Sequence, residues 1–251
     1  MQTTPNPLLP GRANRYGFSV IQKLQEAWLR AQPRVGTIWM GHGVAASTTE
    51  LHRPSLDVTL GTLRAAILRR LHDGEMFLPV GHLTYSPPKD AYYLTFDDGL
   101  ASFAENAYPF LHAQGVPFCL FIPTGTIGSR GHMDRRAVTE LAQDPLCTIG
   151  SHSVTHPLFR YQSQEVARRE LRDSRRALED LTGLPVHDFA FPYGSRLACS
   201  KSSISLAEQY YQRTYSTLHS HLNVGSVKRP RFLPRVNFCQ RNHAVETMWS
   251  P

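Results

Sequence analysis

Residues 91–99 read Ala91-Tyr92-Tyr93-Leu94-Thr95-Phe96-Asp97-Asp98-Gly99. An apolar run of strand length ends in two carboxylates and a glycine. Adjacent carboxylates at a strand terminus repel each other unless a positive group sits between them. Taken alone, the Asp-Gly pair reads as a turn followed by a helix cap. The neighbouring segments repeat the layout. Strand candidates are Val35–Met40, Ala91–Phe96, Pro117–Ile122, Cys147–Ser151, His187–Phe191, Arg213–Thr217 and Arg231–Val236. Helix candidates between them are Leu56–His72, Ala101–Gln114, Arg135–Gln143, Gln164–Thr182 and Ser202–Tyr211. Alternation of this kind predicts a mainly parallel sheet with covering helices, open or closed as a barrel.

In such folds chemistry lies beyond the carboxyl ends of the strands. Those ends read Gly41-His42-Gly43, Asp97-Asp98-Gly99, Pro123-Thr124-Gly125, His152-Ser153-Val154-Thr155-His156 and Pro192-Tyr193-Gly194. The two histidines four apart can share one face of a helical turn and bind one divalent ion, with Pro157 stopping any further helix. They also read as two polar loop histidines among the chain's 12. Beside the acids the metal reading gains weight. One carboxylate plus two neutral imidazoles is an open catalytic metal set, and the second carboxylate is then free to act as a base.

The chain has 251 residues, 41% hydrophobic and 19% charged, which suits one large globular α/β domain. It has no apolar stretch of spanning length. Residues 1–15 read as a loose arm and Phe18–Ala31 as a helix, so that residues 1–34 form an N-terminal arm and helix before a domain over 35–251. The N-terminus lacks the layout of a secretory signal, and Cys119, Cys147, Cys199 and Cys239 form no CxxC pair, so a reduced cytoplasmic setting is expected. Net charge is +7. The densest basic stretch, Arg168–Arg176, is interleaved with acids at helix-surface spacing, and Ala167, Leu171, Ser174, Leu178 and Leu181 form its apolar stripe. No nucleic-acid motif accompanies it, so nucleic acid is not an expected partner. Peripheral contact with a membrane stays open, as does oligomeric state.

Thr95-Phe96-Asp97-Asp98-Gly99, Ser151-His152-Ser153-Val154-Thr155-His156-Pro157 and Phe189-Ala190-Phe191-Pro192-Tyr193-Gly194, in that order and spacing, resemble the first three motifs of the polysaccharide deacetylase (NodB-homology) family, carbohydrate esterase family four. The third segment is similar to the FAYPYG variant of exopolysaccharide-type members, and Leu233-Pro234-Arg235-Val236-Asn237 to their closing strand. The likeness covers about residues 35–240. It implies a distorted (β/α)7 barrel that hydrolyses the N-acetyl group of an amino sugar in a polysaccharide or its precursor. By the same likeness Asp97 is the general base. Asp98, His152 and His156 hold a divalent ion, zinc ahead of iron, cobalt, nickel or manganese. The Tyr193 N–H helps bind the oxyanion.

Two positions depart from the pattern. Where many members carry an arginine that tethers the catalytic aspartate, this chain has Ala190. Arg235 is the candidate to supply that guanidinium from the closing strand, against the alternative of an ordinary surface arginine. The usual Leu-x-His acid motif is absent. Leu218-His219-Ser220-His221 falls before the closing strand and does not take its place. His42, at the end of Thr37-Ile38-Trp39-Met40, is the candidate acid, against a histidine simply packed at the loop. Trp39, Tyr85, Phe159 and Tyr161 are either a sugar platform or core. The alternative functions are hydrolysis of a formamido group on a lipid- or nucleotide-linked sugar, hydrolysis of a small amide, and carbohydrate binding without turnover.

Overall fold

The computed structural model describes residues 12–83, Pro88 and 91–239. Tyr85 lies outside the described residues, as does the arm over residues 1–11. Chain order begins with helix α1 (Arg12–Arg30), strand β1 (Gly36–Gly41), the short strands β2 (Val44–Ala45) and β3 (Val58–Thr59), helix α2 (Leu60–His72) and strand β4 (Ala91–Phe96). It continues with α3 (Tyr108–Ala113), β5 (Phe118–Ile122), α4 (Arg135–Ala142), β6 (Cys147–Ser151), α5 (Gln164–Thr182) and β7 (Asp188–Ala190). Last come α6 (Lys201–Ala207), β8 (Arg213–Tyr215), α7 (Val224–Lys228) and β9 (Val236–Asn237). Side-chain caps start several helices. Thr59, Asp134 and Ser163 accept from the third residue beyond them, and Gly183 in the left-handed region ends α5.

The seven-stranded sheet runs β8-β7-β6-β5-β4-β1-β9 with every pairing parallel. β9 pairs with β1, while Leu233, three residues before it, bridges Tyr215 of β8. One short segment thus touches both edges and curls the sheet into the distorted (β/α) barrel. β2 and β3 make a separate ribbon. Side chains alternate along the strands. Tyr92, Leu94, Phe118, Leu120 and Ile122 pack outward with Leu63, Leu111, Val138, Leu171 and Leu178 of the helices. Ile38, Tyr93, Cys119, Phe121, Ala190, Tyr215 and Leu233 form a second cluster inside the curl. At its amino-terminal end Asp188 accepts a two-point bond from Arg213 (2.6 and 2.7 Å) and a third from the Tyr215 hydroxyl (2.7 Å).

Several expected elements differ. The closing strand shrinks from Arg231–Val236 to a bridge at Leu233 plus β9, because Pro230 and Pro234 have no N–H for a ladder. The helix after Asp98 contains a π turn over Phe103–Ala107 before α3, where Pro109 removes one backbone donor. Residues 12–15 are helical, not a loose arm. The Leu56–His72 helix starts at Leu60 because Val58–Thr59 pair as β3. All four cysteines are free thiols. No described helix is long and apolar enough to cross a membrane.

A half-buried histidine gives the fold a pH dependence. His221 Nδ1 lies 2.9 Å from Thr37 Oγ1, and burial first, then the Arg34 charge, pushes its pKa from 6.5 down to about 4. Between those values the unfolded chain binds a proton that the folded chain refuses, so stability falls as pH drops from about 6.5 to 4. His221→Gln should flatten part of that slope in thermal melts across this range. An unchanged slope counts against the assignment.

Candidate active site

β4 delivers Thr95 and Asp97 to the inside of the curl, and the Asp97 N–H donates to the Gly41 carbonyl at 2.9 Å. Arg235 enters from the closing segment and is wholly buried. Its two terminal nitrogens donate to the two Asp97 oxygens, both at 2.7 Å. The same guanidinium reaches the Ser216 carbonyl (2.8 Å) and Thr95 Oγ1 (3.2 Å), and it lies 5.4 Å from the centre of the Phe121 ring. Gly150 makes room for that ring, since a Cβ there would sit 2.5 Å from it. Burial alone pushes the Asp97 carboxyl pKa up. The charges of Arg235 and then His152, with the Arg235 hydrogen bonds, outweigh it and hold the group well below the usual carboxylate range. Asp97 is therefore ionised throughout the neutral range. Ala190 offers no cation. Its carbonyl accepts from His152 Nδ1 at 2.7 Å, while the tether to Asp97 comes from Arg235.

Asp98 turns the chain at φ 70°. Its Oδ1 lies 3.7 Å from His152 Nε2 and 3.5 Å from His156 Nε2. A carbonyl only accepts, so His152 Nδ1 carries the proton and Nε2 presents a lone pair. The expected helical turn is absent. Residues 152–156 form an irregular loop, with Ser153 at φ 69° and His156 at φ 57°. The histidines still meet, with ring centres 4.8 Å apart. What holds the loop is Glu170, a buried carboxylate on α5. It accepts from the Val154 N–H (2.8 Å), the Thr155 N–H (2.9 Å) and the Thr155 hydroxyl (2.7 Å). The His156 N–H donates to Ser153 Oγ, and the Gly125 N–H to the Val154 carbonyl. A Cβ on Gly125 would lie 2.7 Å from that carbonyl oxygen.

The donor set fits a divalent ion. Ligand bonds of about 2.0–2.2 Å in a tetrahedron separate neighbouring donors by about 3.4 Å, close to the spacings found. Asp98, His152 and His156 each offer one ligand atom within 4.8 Å of the others. Burial pushes His152 down to about 4 and lowers His156 as well, so both rings are neutral at pH 7, the form that ligates.

Tyr193 is 57% exposed at φ 59°, and its ring centre lies 4.8 Å from that of His156. Its carbonyl accepts from the Thr217 hydroxyl, and the Gly194 carbonyl from the Thr217 N–H. No described residue accepts from the Tyr193 N–H. Arg160 ties the loop after His156 to the loop after Tyr193 through the carbonyls of Arg196, Leu197 and Cys199. His42 follows β1, and its charge acts on both Asp97 and His156. Its Nδ1 is buried with no partner among the described residues. Of the aromatic candidates, Trp39 stacks on Phe238 and Phe159 packs against Phe189 and Phe191, so both are core, while Tyr161 is half-buried. His221 faces Thr37, and His219 accepts from the Asn237 N–H.

The family model for polysaccharide deacetylases matches residues 84–214, just over half of the chain. The chain belongs to the polysaccharide deacetylase family. Two Bacillus subtilis (strain 168) proteins of polysaccharide deacetylase name are similar to it. YxkH is 25% identical over 43% of this chain, and YheN 30% over 47%. Those matches span 38% and 40% of the relatives' own lengths. Among solved structures, the Streptococcus pyogenes deacetylase PplD, in complex with acetate, superposes with a TM-score of 0.75 at 21% identity. The alignment covers 88% of this chain and 100% of that one, and it shows a shared fold. The polysaccharide deacetylase model spans β4 to β8, and therefore Asp97, Asp98, His152, His156 and Tyr193. Arg235 and His42 lie outside it.

Proposed function

We propose that this chain is a metal-dependent hydrolase that removes N-acetyl groups from an amino sugar in a polysaccharide or its precursor. The observation that carries the reading is the pairing of two carboxylates with different surroundings. Asp97 is buried and clamped by Arg235, while its neighbour Asp98 faces two neutral imidazoles.

Asp98, His152 and His156 would hold the ion, zinc first among the candidates. When bound, such an ion polarises an acyl oxygen and makes water more acidic. Asp97 is ionised and aimed by a two-point contact, so its role is to accept the proton of the attacking water. The unengaged Tyr193 N–H donates to the oxygen that becomes negative as the tetrahedral centre forms. His42, on the neighbouring strand end, gives a proton to the departing amine. The products are acetate and a free amino sugar.

The test is incubation of metal-loaded protein with N-acetylated oligosaccharides, read by mass spectrometry and by acetate assay. Loss of one acetyl unit per modified sugar, with acetate released in equal amount, is the expected result. Formate from a formamido sugar, with no acetate from any acetylated one, would move the reading to the deformylase class. Saturable sugar binding without either product would make the chain a binding protein.

A further inference from the structure

Helix α1 is amphipathic in the reverse sense for a surface helix. Its polar residues face the barrel. The Gln22 and Gln25 side-chain oxygens accept from the Arg196 N–H (3.2 Å) and Arg196 Nε (2.8 Å), and the buried Glu26 accepts from the His219 N–H (3.1 Å). Among its described side chains, Leu29 is the large apolar residue that the helix buries. On the outward face Val20 is 41%, Ile21 55%, Leu24 66% and Trp28 62% exposed, at the steps of three and four that make one stripe. Four of the nine exposed large hydrophobics among the described residues fall on this single face, and the other five are scattered. Isolated exposed apolar residues are ordinary, whereas a contiguous stripe marks a contact surface.

Charge indicates what covers it. The helix carries Arg12, Arg15, Lys23 and Arg30 against one acid, Glu26, and that acid is turned inward. Lys23 is exposed beside the stripe, while Arg30, also exposed, pairs with Glu26 at 3.4 Å and donates to the His219 carbonyl at 3.2 Å. A stripe with a tryptophan, a cationic margin and no exposed acid matches an anionic lipid surface, where the ring sits at headgroup level and the cations meet phosphates. A second copy fits worse, because a two-fold contact would set the same cations near each other with no acid to meet them.

We propose that α1 is an interfacial helix that docks this protein on an anionic bilayer surface. Gln22 and Gln25 hold Arg196, three residues beyond Tyr193, so the docked helix stays tied to the loop that carries Tyr193. The inference stands apart from the hydrolase reading, since it needs no turnover.

Vesicle flotation tests it, with phosphatidylcholine vesicles as one arm and vesicles containing phosphatidylglycerol as the other. The expected result is binding to the second and not the first, weakened by added salt. Leu24→Asp and Trp28→Asp should each weaken binding about tenfold or more, and Lys23→Glu about fivefold or more. Melting curves of the three variants should match the parent, because the replaced side chains are exposed. No binding of the parent to anionic vesicles overturns the proposal, as does binding that Leu24→Asp and Trp28→Asp leave intact. A dimer seen by ultracentrifugation and dissolved by those same variants, without vesicle binding, assigns the stripe to a second copy instead.

Discussion

Arg235→Met is expected to lower the melting temperature by about 10 °C and kcat by about 10²-fold or more. The guanidinium and Asp97 are buried together and joined by two bonds of 2.7 Å. Removing one partner leaves a carboxylate in the barrel interior without its counter-charge, which costs about 3–5 kcal/mol. In a chain of this size each kcal/mol moves the midpoint by about 2–4 °C. The loss in rate has a separate origin, because a carboxylate released from a two-point contact no longer holds its aim. pH distinguishes this explanation from general damage to the core. In the parent, Asp97 titrates below its free value of 3.8, so the stability it contributes is present above about pH 4 and lost on acidification. In the variant, burial is unopposed by Arg235 and raises the same carboxyl, so protonation relieves the strain. The stability gap between variant and parent should therefore narrow as pH falls toward 4. Arg235→Lys keeps a charge but not the planar fork, and it should fall between the two. A variant with parental melting temperature and turnover would remove Asp97–Arg235 from the account of the site.

Much of this was legible because chemistry at strand ends leaves a strong local signal. An apolar run that stops at Asp97-Asp98-Gly99, and a second that stops at His152, announce both the strands and what they carry. Arg235 was legible through the resemblance: family members carry a tethering arginine where this chain has Ala190, and Leu233-Pro234-Arg235 offered a cation late in the chain. Its two-point contact was legible too, since a planar guanidinium matches a carboxylate, whereas the closing segment that places it, touching β8 through Leu233 and β1 through Val236, was not.

Other features stayed hidden for physical reasons. The spacing of His152 and His156 suggested a helical turn, yet left-handed backbone at Ser153 and His156 brings them together instead. No propensity argument predicts a serine and a histidine there, since the strain is supported by tertiary contacts to Glu170. Glu170 itself read as one more acid in a charged helix. The signal was present, because it falls on the stripe of Ala167, Leu171 and Ser174. The acids interleaved along the helix do pair with its arginines, as Glu165–Arg169, Arg172–Asp173, Arg175–Glu179 and Arg176–Asp180. The outward stripe of α1 went unread for a different reason. Periodicity shows that a helix has an apolar face but not which way that face points.

Metal content and turnover should separate the four side chains at the proposed centre. His152→Ala is expected to lose bound metal and essentially all activity. Its Nε2 is one of three donors, and a two-donor remnant is a poor site for any of the candidate ions. Asp98→Asn should weaken metal binding strongly, because a neutral amide oxygen replaces the only anionic ligand. Asp97→Asn predicts the opposite pattern, with metal retained and kcat down by about 10²-fold or more, because an amide cannot accept the proton of water. It also leaves Arg235 facing a neutral group, so this variant should be less stable than the parent, and Asp97→Asn with Arg235→Met less damaged than the two single changes summed. His42→Gln belongs with Asp97: metal content unchanged and kcat reduced, because the group that would give a proton to the departing amine is gone. Metal analysis by mass spectrometry and steady-state kinetics on the same preparations provide both columns. Equal metal loss in Asp97→Asn and Asp98→Asn would refute the division of labour between two neighbouring carboxylates. Metal loss in His42→Gln would make His42 a ligand and leave the proton donor to be found among the groups that face Tyr193.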